Sequence, residues 1–219
     1  MINIALDVMG GDNCPQCNLK GALEALKSDD EIILHLYGPE DIISSEIASW
    51  DKDVRSRVTV VNAQEVITTE ESPAAAVRKK KNSSIVMGAR AVREGRCDAL
   101  VSAGSSGAVL AAGQLIVGRL PGVHRPPLAS MIPTKKGFKL FLDLGANVDA
   151  RPEWLVQFAL MGKLYMQRVQ NIPDPEIKLM NLGVEEEKGN ALIKAANELL
   201  RARSDMNYAG YIETRDVIF

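Results

Sequence analysis

The chain has 219 residues, 46% hydrophobic and 25% charged, a balance typical of folded globular proteins rather than disordered ones. Lysine and arginine number 26 against 28 acidic residues, so the net charge of −2 gives no overall basic field for nucleic acid. Aromatic residues are only 5%, which argues against stacking platforms for single-stranded nucleic acid, and three cysteines do not suggest a disulfide framework. We expect a cytoplasmic protein.

Short β-branched runs alternate with longer amphipathic segments along the chain. This alternation predicts an α/β fold with an open, mostly parallel sheet and helices on both faces. Several predicted strands are continuously hydrophobic, as is typical of strands covered on both faces. The predicted strands are Ile2–Leu6, Ile32–Tyr37, Val58–Val61, Ala99–Val101, Ala129–Ile132, Leu140–Leu142, Ile177–Leu182 and Tyr208–Ile212, with helices near 15–27, 39–50, 73–80, 84–94, 106–118, 152–169 and 188–203.

We expect one domain over residues 1–219. The proline-rich stretch 120–133 is the best position for a crossing between subdomains, because it carries four prolines and interrupts the helical pattern.

The most informative segment, DALVSAGSSGA at 98–108, runs from a strand through a turn of small residues into a helix. Gly104 and Gly107 let the backbone approach a ligand closely, and Ser105 and Ser106 offer hydroxyl groups. The helix start adds free N–H groups, so the segment indicates a site for phosphate or another small anion. The alternative is a tight turn with a serine helix cap. The spacing matches neither the dinucleotide fingerprint nor the Walker motif.

Two other loops leave strands through Leu-Asp into a turn that contains Gly, Asn and Asp. Asp7 opens the first loop, in which Gly10 and Gly11 imply tight backbone geometry. Asp143 opens the second, in which Asn147 can present an amide N–H to a developing oxyanion. Ligands of open α/β sheets bind at the carboxyl ends of strands, where both loops would emerge. The alternative is that these side chains only make turn hydrogen bonds.

Polar residues elsewhere give weaker signals. The basic run at 78–81 can supply cations to a phosphate or dock an acidic partner, although a solvated helix end explains it equally well. The segment after the seventh strand offers Asn181, Lys188 and Asn190 as polar ligand contacts. Cysteines 14 and 17 have redox-motif spacing, but the two histidines lack the spacing and neighbours of a zinc site, so we predict no metal.

Taken together, these segments resemble the PlsX family, the bacterial phosphate acyltransferases of phospholipid synthesis. The segments LDVMGGDN, AVRKKKNSSIVMG, SAGSSGAVLA, IVGRLPGVHRP, LDLGANVDARPEWLVQFALMG, NLGVEEEKGN and ETRD follow in family order and spacing. Ser105 and Ser106 replace the usual Asn-Thr pair, which keeps hydroxyl groups and loses an amide. We expect the C-terminal part of the family domain to be missing after Phe219.

The resemblance implies a fold similar to the isopropylmalate dehydrogenase and phosphotransacetylase group. It also implies transfer of a long-chain fatty acyl group from acyl carrier protein to inorganic phosphate, giving acyl phosphate, with no metal or organic cofactor. A homodimer with peripheral contact at the inner face of the membrane is implied as well.

The expected roles follow from loop position and charge. Phosphate binds Gly104, Ser105, Ser106 and Gly107, helped by Lys79 or Lys81. Asn147 is expected to donate a hydrogen bond to the oxyanion, with Asp143 and Asp7 shaping the pocket. Acyl carrier protein is expected to dock on Arg78, Lys80, Arg119 and Arg125. Further pocket candidates are Gly10, Gly11, Asn181, Lys188 and Asn190.

Two other functions stay open from the sequence. One is a short-chain phosphotransacetylase that uses a coenzyme A thioester, since the transferred chemistry is the same. The other is a non-catalytic anion-binding fragment. Formation of acyl phosphate from acyl-acyl carrier protein, but not from acyl-coenzyme A, would distinguish the function implied by the resemblance from the first alternative.

Overall fold

A computed structural model of the chain describes residues 1–218. The chain folds into two compact units that divide between Arg119 and Leu120, at the start of the proline-rich stretch. The expectation of one domain over residues 1–219 stays a prediction. None of the helices in the described part combines the length and apolar character needed to cross a bilayer.

The first unit contains a four-stranded parallel sheet in the order β3-β2-β1-β4. Its chain alternates strands and helices, which is the pattern predicted from sequence. The elements are β1 (Ile2–Asp7), α1 (Gln16–Ser28), β2 (Ile32–Gly38), α2 (Glu40–Ile47), α3 (Lys52–Arg55), β3 (Val58–Asn62), α4 (Pro73–Lys79), α5 (Ser84–Arg93), β4 (Ala99–Val101) and α6 (Ser106–Ala112), which continues as a π-helical turn over Gly113–Val117.

Helices cover both faces of this sheet, as the continuous hydrophobic strands predict. On one face, Leu19 and Leu26 of α1 pack against Leu34 and Leu36 of β2 in a buried cluster. Successive residues of a strand point to opposite faces of the sheet. On the other face, Ala5 of β1 joins a buried cluster with residues of α5 and of the β3–α4 loop. The α/β fold with a mostly parallel sheet is therefore confirmed.

The second unit contains a β-hairpin, a pair of parallel strands and two helices. Gly162 allows close packing of α7 on the hairpin, since a Cβ there would lie 2.7 Å from Cδ1 of Leu142. Tyr208 of β8 donates to Oδ1 of Asn197 of α8 at 2.7 Å. The elements are β5 (Ala129–Thr134), β6 (Gly137–Leu142), α7 (Pro152–Arg168), β7 (Ile177–Asn181), α8 (Ala191–Arg201) and β8 (Tyr208–Glu213), followed by a 3₁₀ turn over Thr214–Asp216.

Candidate functional site

The loops after β1 and β4 meet at the carboxyl edge of the first unit's sheet. Strands β1 and β4 are parallel neighbours, whereas β2 and β3 lie on the other side of β1. The strand order therefore reverses between β1 and β4, and ligands of open α/β sheets commonly bind at such a switch point. This topology brings together the first loop and the serine-glycine turn, which the sequence had placed only in separate segments.

Asp7 joins the two loops through its buried carboxylate, which is 1% exposed. Its Oδ2 accepts the hydroxyl of Ser102 at 2.7 Å, and its Oδ1 accepts the N–H of Met9 at 3.1 Å. The hydroxyl oxygen of Ser102 in turn accepts the N–H of Gly104 at 3.1 Å. The carboxylate predicted to face a ligand therefore holds both loops in place, and its catalytic role stays a prediction.

Glycines permit the two loops to touch. A Cβ on Gly10 would lie 2.7 Å from the amide nitrogen of Gly104, and a Cβ on Gly104 would lie 3.3 Å from Cα of Gly10. Gly11 adopts a φ of +96° beside Ala103, a conformation that side chains strongly disfavour. The tight backbone geometry expected at Gly10 and Gly11 is thus present, and its cause is close approach of the neighbouring loop.

Asn18 is a residue of this site that the sequence analysis missed. From the first turn of α1 its Nδ2 donates to the carbonyls of Gly10 at 2.7 Å and Val8 at 2.9 Å, which ties the loop to the helix. Asparagine is a poor helix former because its side chain competes for backbone groups, and that was the available signal.

The serine-glycine turn leads directly into α6. Ser105 is the helix cap, since its hydroxyl oxygen accepts the N–H of Ala108 at 3.3 Å. Ser106 is exposed, and Gly107 packs against Pro73, whose Cγ would lie 2.7 Å from a Cβ at that position. Capping and anion binding are compatible here, because the Ser105 cap uses an oxygen lone pair and leaves its proton available.

The basic run divides into engaged and exposed side chains. Lys80 donates to the Val66 carbonyl and to Oε2 of Glu71, both at 2.6 Å, and so ties down the segment before α4. Arg78, Lys79 and Lys81 are exposed. Within residues 1–218 no hydrogen bond or ion pair joins Lys79 or Lys81 to the serine-glycine turn, so their phosphate role stays a prediction.

In the second unit, Asp143 organises the loop after β6. Its Oδ1 accepts the N–H of Leu128 at 2.7 Å and of Ala146 at 3.3 Å. Its Oδ2 accepts the backbone N–H of Asn147 at 2.7 Å and the side-chain amide of Asn147 at 2.9 Å. Asn147 Nδ2 also donates to the Pro126 carbonyl at 3.2 Å. Both amide hydrogens of Asn147 therefore have acceptors inside this unit.

Asn181 and Asn190 support local backbone in the second unit. Buried Asn181 donates to the carbonyls of Gly183 at 3.0 Å and Lys188 at 3.2 Å, which closes the loop after β7. Asn190 caps α8 by accepting the N–H of Ile193 at 3.0 Å. The Lys188 side chain is exposed. Ligand contacts by these three residues stay predictions.

The remaining docking candidates are exposed. Arg119 ends the first unit, and Arg125 of the second unit lies over the Trp154 ring.

Burial is the main cause of the pKa shifts of three groups in the first unit. It lowers the pKa of His35, and it raises the pKa of Tyr37 and Cys97. In the described part of the chain, no three metal-ligating side chains lie close enough together to hold an ion.

Comparison with known proteins places this geometry in a family context. The model of a family described as "Fatty acid synthesis protein" matches residues 2–219. The chain is 50% identical over 216 residues to a phosphate acyltransferase of Clostridium beijerinckii, covering 99% of this chain and 65% of the relative. It is 46% identical over 219 residues to a phosphate acyltransferase of Geobacillus sp., covering 99% of this chain and 64% of the relative.

A putative phosphate acyltransferase of Clostridium perfringens strain 13 is 46% identical over 216 residues, covering 99% of this chain and 63% of the relative. The chain therefore spans just under two thirds of the length of these curated relatives.

Proposed function

The chain belongs to the fatty acid synthesis protein family, the family of the PlsX phosphate acyltransferases, and we propose that the protein transfers a fatty acyl group to inorganic phosphate. The family match over residues 2–219 is the observation that carries this proposal. Relatives at 46–50% identity named phosphate acyltransferase support it. The product, an acyl phosphate, would serve phospholipid synthesis.

The serine-glycine turn is the proposed site for inorganic phosphate. It lies at the switch point of the first sheet, where the Asp7–Ser102 bond and the Gly10–Gly104 contact hold its backbone. The hydroxyl groups of exposed Ser106 and of Ser105 can donate hydrogen bonds to phosphate oxygens there. A rigid loop suits this task, because a site that must position a nucleophile loses rate when it moves.

The proposed reaction needs little proton transfer. A phosphate oxygen attacks the thioester carbonyl to form a C–O bond, the carbonyl becomes a tetrahedral oxyanion, and the C–S bond then breaks with the electron pair leaving on the thiolate. The protein has to position the reactants and stabilise the oxyanion.

Asn147 is the proposed oxyanion donor, with Asp143 as the positioning residue beside it. The Asp143 carboxylate accepts from both the backbone and the side chain of Asn147, so it fixes the amide. To reach an oxyanion, Asn147 would exchange its longer bond, 3.2 Å to the Pro126 carbonyl, for one to the substrate.

We propose acyl carrier protein as the acyl donor, a homodimer as the working form, and the cytoplasm as its location, with peripheral contact at the inner membrane face. An acidic carrier would dock on exposed cations, for which Arg78, Arg119 and Arg125 are suitable. Lys80 is the weakest of the predicted docking residues, because Glu71 already pairs with its ammonium group.

The test is an acyl-phosphate assay on the protein at the full length of its relatives. We expect palmitoyl acyl carrier protein to yield hydroxylamine-reactive acyl phosphate only when inorganic phosphate is present. A much smaller yield from short-chain acyl-coenzyme A separates this function from a short-chain phosphotransacetylase. Thioester loss that does not depend on phosphate would contradict the proposal.

A further inference from the structure

Two arginine side chains lie against one indole ring in the second unit. The guanidinium carbon of Arg125 is 5.4 Å from the centroid of the Trp154 ring, and that of Arg151 is 5.6 Å from it. Both arginines are exposed and Trp154 is half-buried. Both distances lie within the range of cation–π interactions, in which the N–H groups of the guanidinium stay available to other acceptors.

The backbone beside each of these side chains is braced. On the Arg125 side, Gln157 of α7 accepts the N–H of His124 at 3.0 Å and donates to the carbonyl of Gly122 at 2.9 Å. On the other side, the Arg151 carbonyl accepts the N–H of Trp154 at 3.0 Å. The backbone beside both arginines is therefore held by hydrogen bonds to α7 residues.

The positive charge of this pair is not offset by a carboxylate. Within residues 1–218, no aspartate or glutamate oxygen lies within 4.0 Å of either guanidinium. Both guanidinium groups lie within 6 Å of the same ring centroid, so an anion that reaches both of them would be bound favourably. A single group with several acceptor oxygens matches two guanidinium forks better than carboxylates spread over a protein surface.

We propose that Arg125, Trp154 and Arg151 bind the phosphate ester at the foot of the acyl donor's pantetheine arm. The ligand's identity rests on the proposed function. Thioesters of acyl carrier protein and of coenzyme A both carry this phosphate, next to a carbon that bears two methyl groups. The guanidinium groups would hold the phosphate, and the indole would contact the methyl groups. We name the three residues the arginine–tryptophan clamp.

Fluorescence of Trp154 tests the clamp directly. Trp50→Phe removes the only other tryptophan, which is buried in the first unit. Titration with 4′-phosphopantetheine should give a saturable change in emission, and pantetheine, which lacks the phosphate, should bind at least about 10-fold more weakly because charge-assisted hydrogen bonds are lost. Equal binding of the two probes would overturn the proposal.

Arginine variants give the matched comparison. Arg125→Ala and Arg151→Ala should each weaken 4′-phosphopantetheine binding about 10-fold. Arg168→Ala, an exposed arginine at the end of the same helix α7, should leave it unchanged. Unchanged binding in both clamp variants, or an equal loss in Arg168→Ala, would contradict the assignment.

Steady-state kinetics distinguish the sources of the phosphate and need no tryptophan substitution. Arg151→Ala changes a residue outside the predicted carrier-docking set, so it should raise KM for acyl carrier protein and coenzyme A donors alike, with KM for inorganic phosphate unchanged. A rise confined to the carrier-protein donor would instead assign Arg151 to carrier carboxylates and overturn the proposal.

The clamp proposal and the proposed function can be contradicted separately. Normal acyl phosphate formation with an unchanged donor KM in the clamp variants would contradict the clamp proposal and support the proposed function. Arginine-dependent 4′-phosphopantetheine binding without any acyl phosphate formation would support the clamp proposal and contradict the proposed function.

Discussion

Gly10 lies where the loop after β1 packs on the turn after β4, and it has no room for a side chain. A Cβ there would lie 2.6 Å from Oδ2 of Asp7 and 2.7 Å from the nitrogen of Gly104. We expect Gly10→Ala to lower the free energy of unfolding by about 1–3 kcal/mol, the usual cost of overpacking, and to weaken phosphate binding. Urea unfolding measures the first effect.

Gly21→Ala is the control for this prediction. Gly21 is exposed in α1 with no atom within 4 Å of its Cβ position, and alanine is the better helix former. The control should stabilise the protein by about 0.5–1 kcal/mol. Similar stability changes in the two variants would show that Gly10 is not tightly packed.

Ser102 and Ser106 should separate loop positioning from ligand contact. Ser102→Ala removes the donor to buried Asp7, so we expect a loss of about 1–3 kcal/mol in unfolding free energy. Ser106→Ala alters an exposed side chain, so stability should change by less than about 0.5 kcal/mol while phosphate affinity falls roughly 10-fold. Thermal unfolding measures the stability of each variant, and calorimetry measures its phosphate affinity. A stability loss in Ser106→Ala and an affinity loss alone in Ser102→Ala would assign loop positioning to Ser106 and ligand contact to Ser102.

Asn147→Ala tests the oxyanion assignment in the proposed acyl-phosphate assay. If Asn147 donates to the oxyanion, kcat should fall by about 100-fold or more. The variant also loses the bonds to Asp143 and Pro126, so the unfolding midpoint should fall as well. Turnover is therefore measured well below that midpoint, where a near-normal kcat would leave Asn147 as a loop anchor alone.

Lys80 joins two points of the segment between β3 and α4. Lys80 bonds to Glu71 and to the Val66 carbonyl, and this hydrogen bonding lowers the pKa of Glu71. A carboxyl whose pKa is lowered by folding stabilises the protein above its unfolded pKa, and the stabilisation is lost as pH falls through the folded value.

We therefore expect Lys80→Met to lower the unfolding midpoint at pH 7 and to reduce its loss on acidification below the ordinary glutamate pKa. Lys79→Met, which alters an exposed neighbour, should do neither. Thermal scans between pH 3 and pH 7 measure both variants, over a range of about four units around the glutamate pKa. Identical profiles for the two variants would mean that the Lys80 pair does not secure the segment.

The elements of this fold were readable from sequence, and their arrangement was not. All eight predicted strands occur, because runs such as Ile32–Tyr37 combine β-branched residues with burial on both faces. Helix α3 was missed, since one turn is too short for a periodic signal. The reversal of strand order that places β4 beside β1 is set by tertiary packing, which periodicity does not report.

The same limit applies to the candidate site. The Asp143–Asn147 contact was predictable, because the two residues lie four positions apart in one loop. The bond between Asp7 and Ser102 joins residues 95 apart in the chain, and no local pattern predicts it. The sequence thus identified the loops at the strand ends, whereas only the structure showed which loops meet.

At the scale of the whole molecule, a net charge of −2 coexists with exposed local cations. If these cations dock an acidic carrier protein, binding should weaken as salt rises from about 0.05 to 0.5 M, because screening shortens the reach of surface charges. We expect Arg78→Ala to weaken carrier binding at low salt, and Lys20→Ala on α1 to leave it unchanged. Surface plasmon resonance measures both, and affinity independent of salt would contradict this docking mode.

Phosphate binding where the loops after β1 and β4 meet can be located by an ¹H–¹⁵N NMR titration of the chain with inorganic phosphate, matched in ionic strength with chloride. We expect saturable amide shifts concentrated at residues 102–107 and in the neighbouring loop at Gly10 and Gly11. Shifts concentrated elsewhere in the chain, or none beyond those that chloride produces, would contradict it.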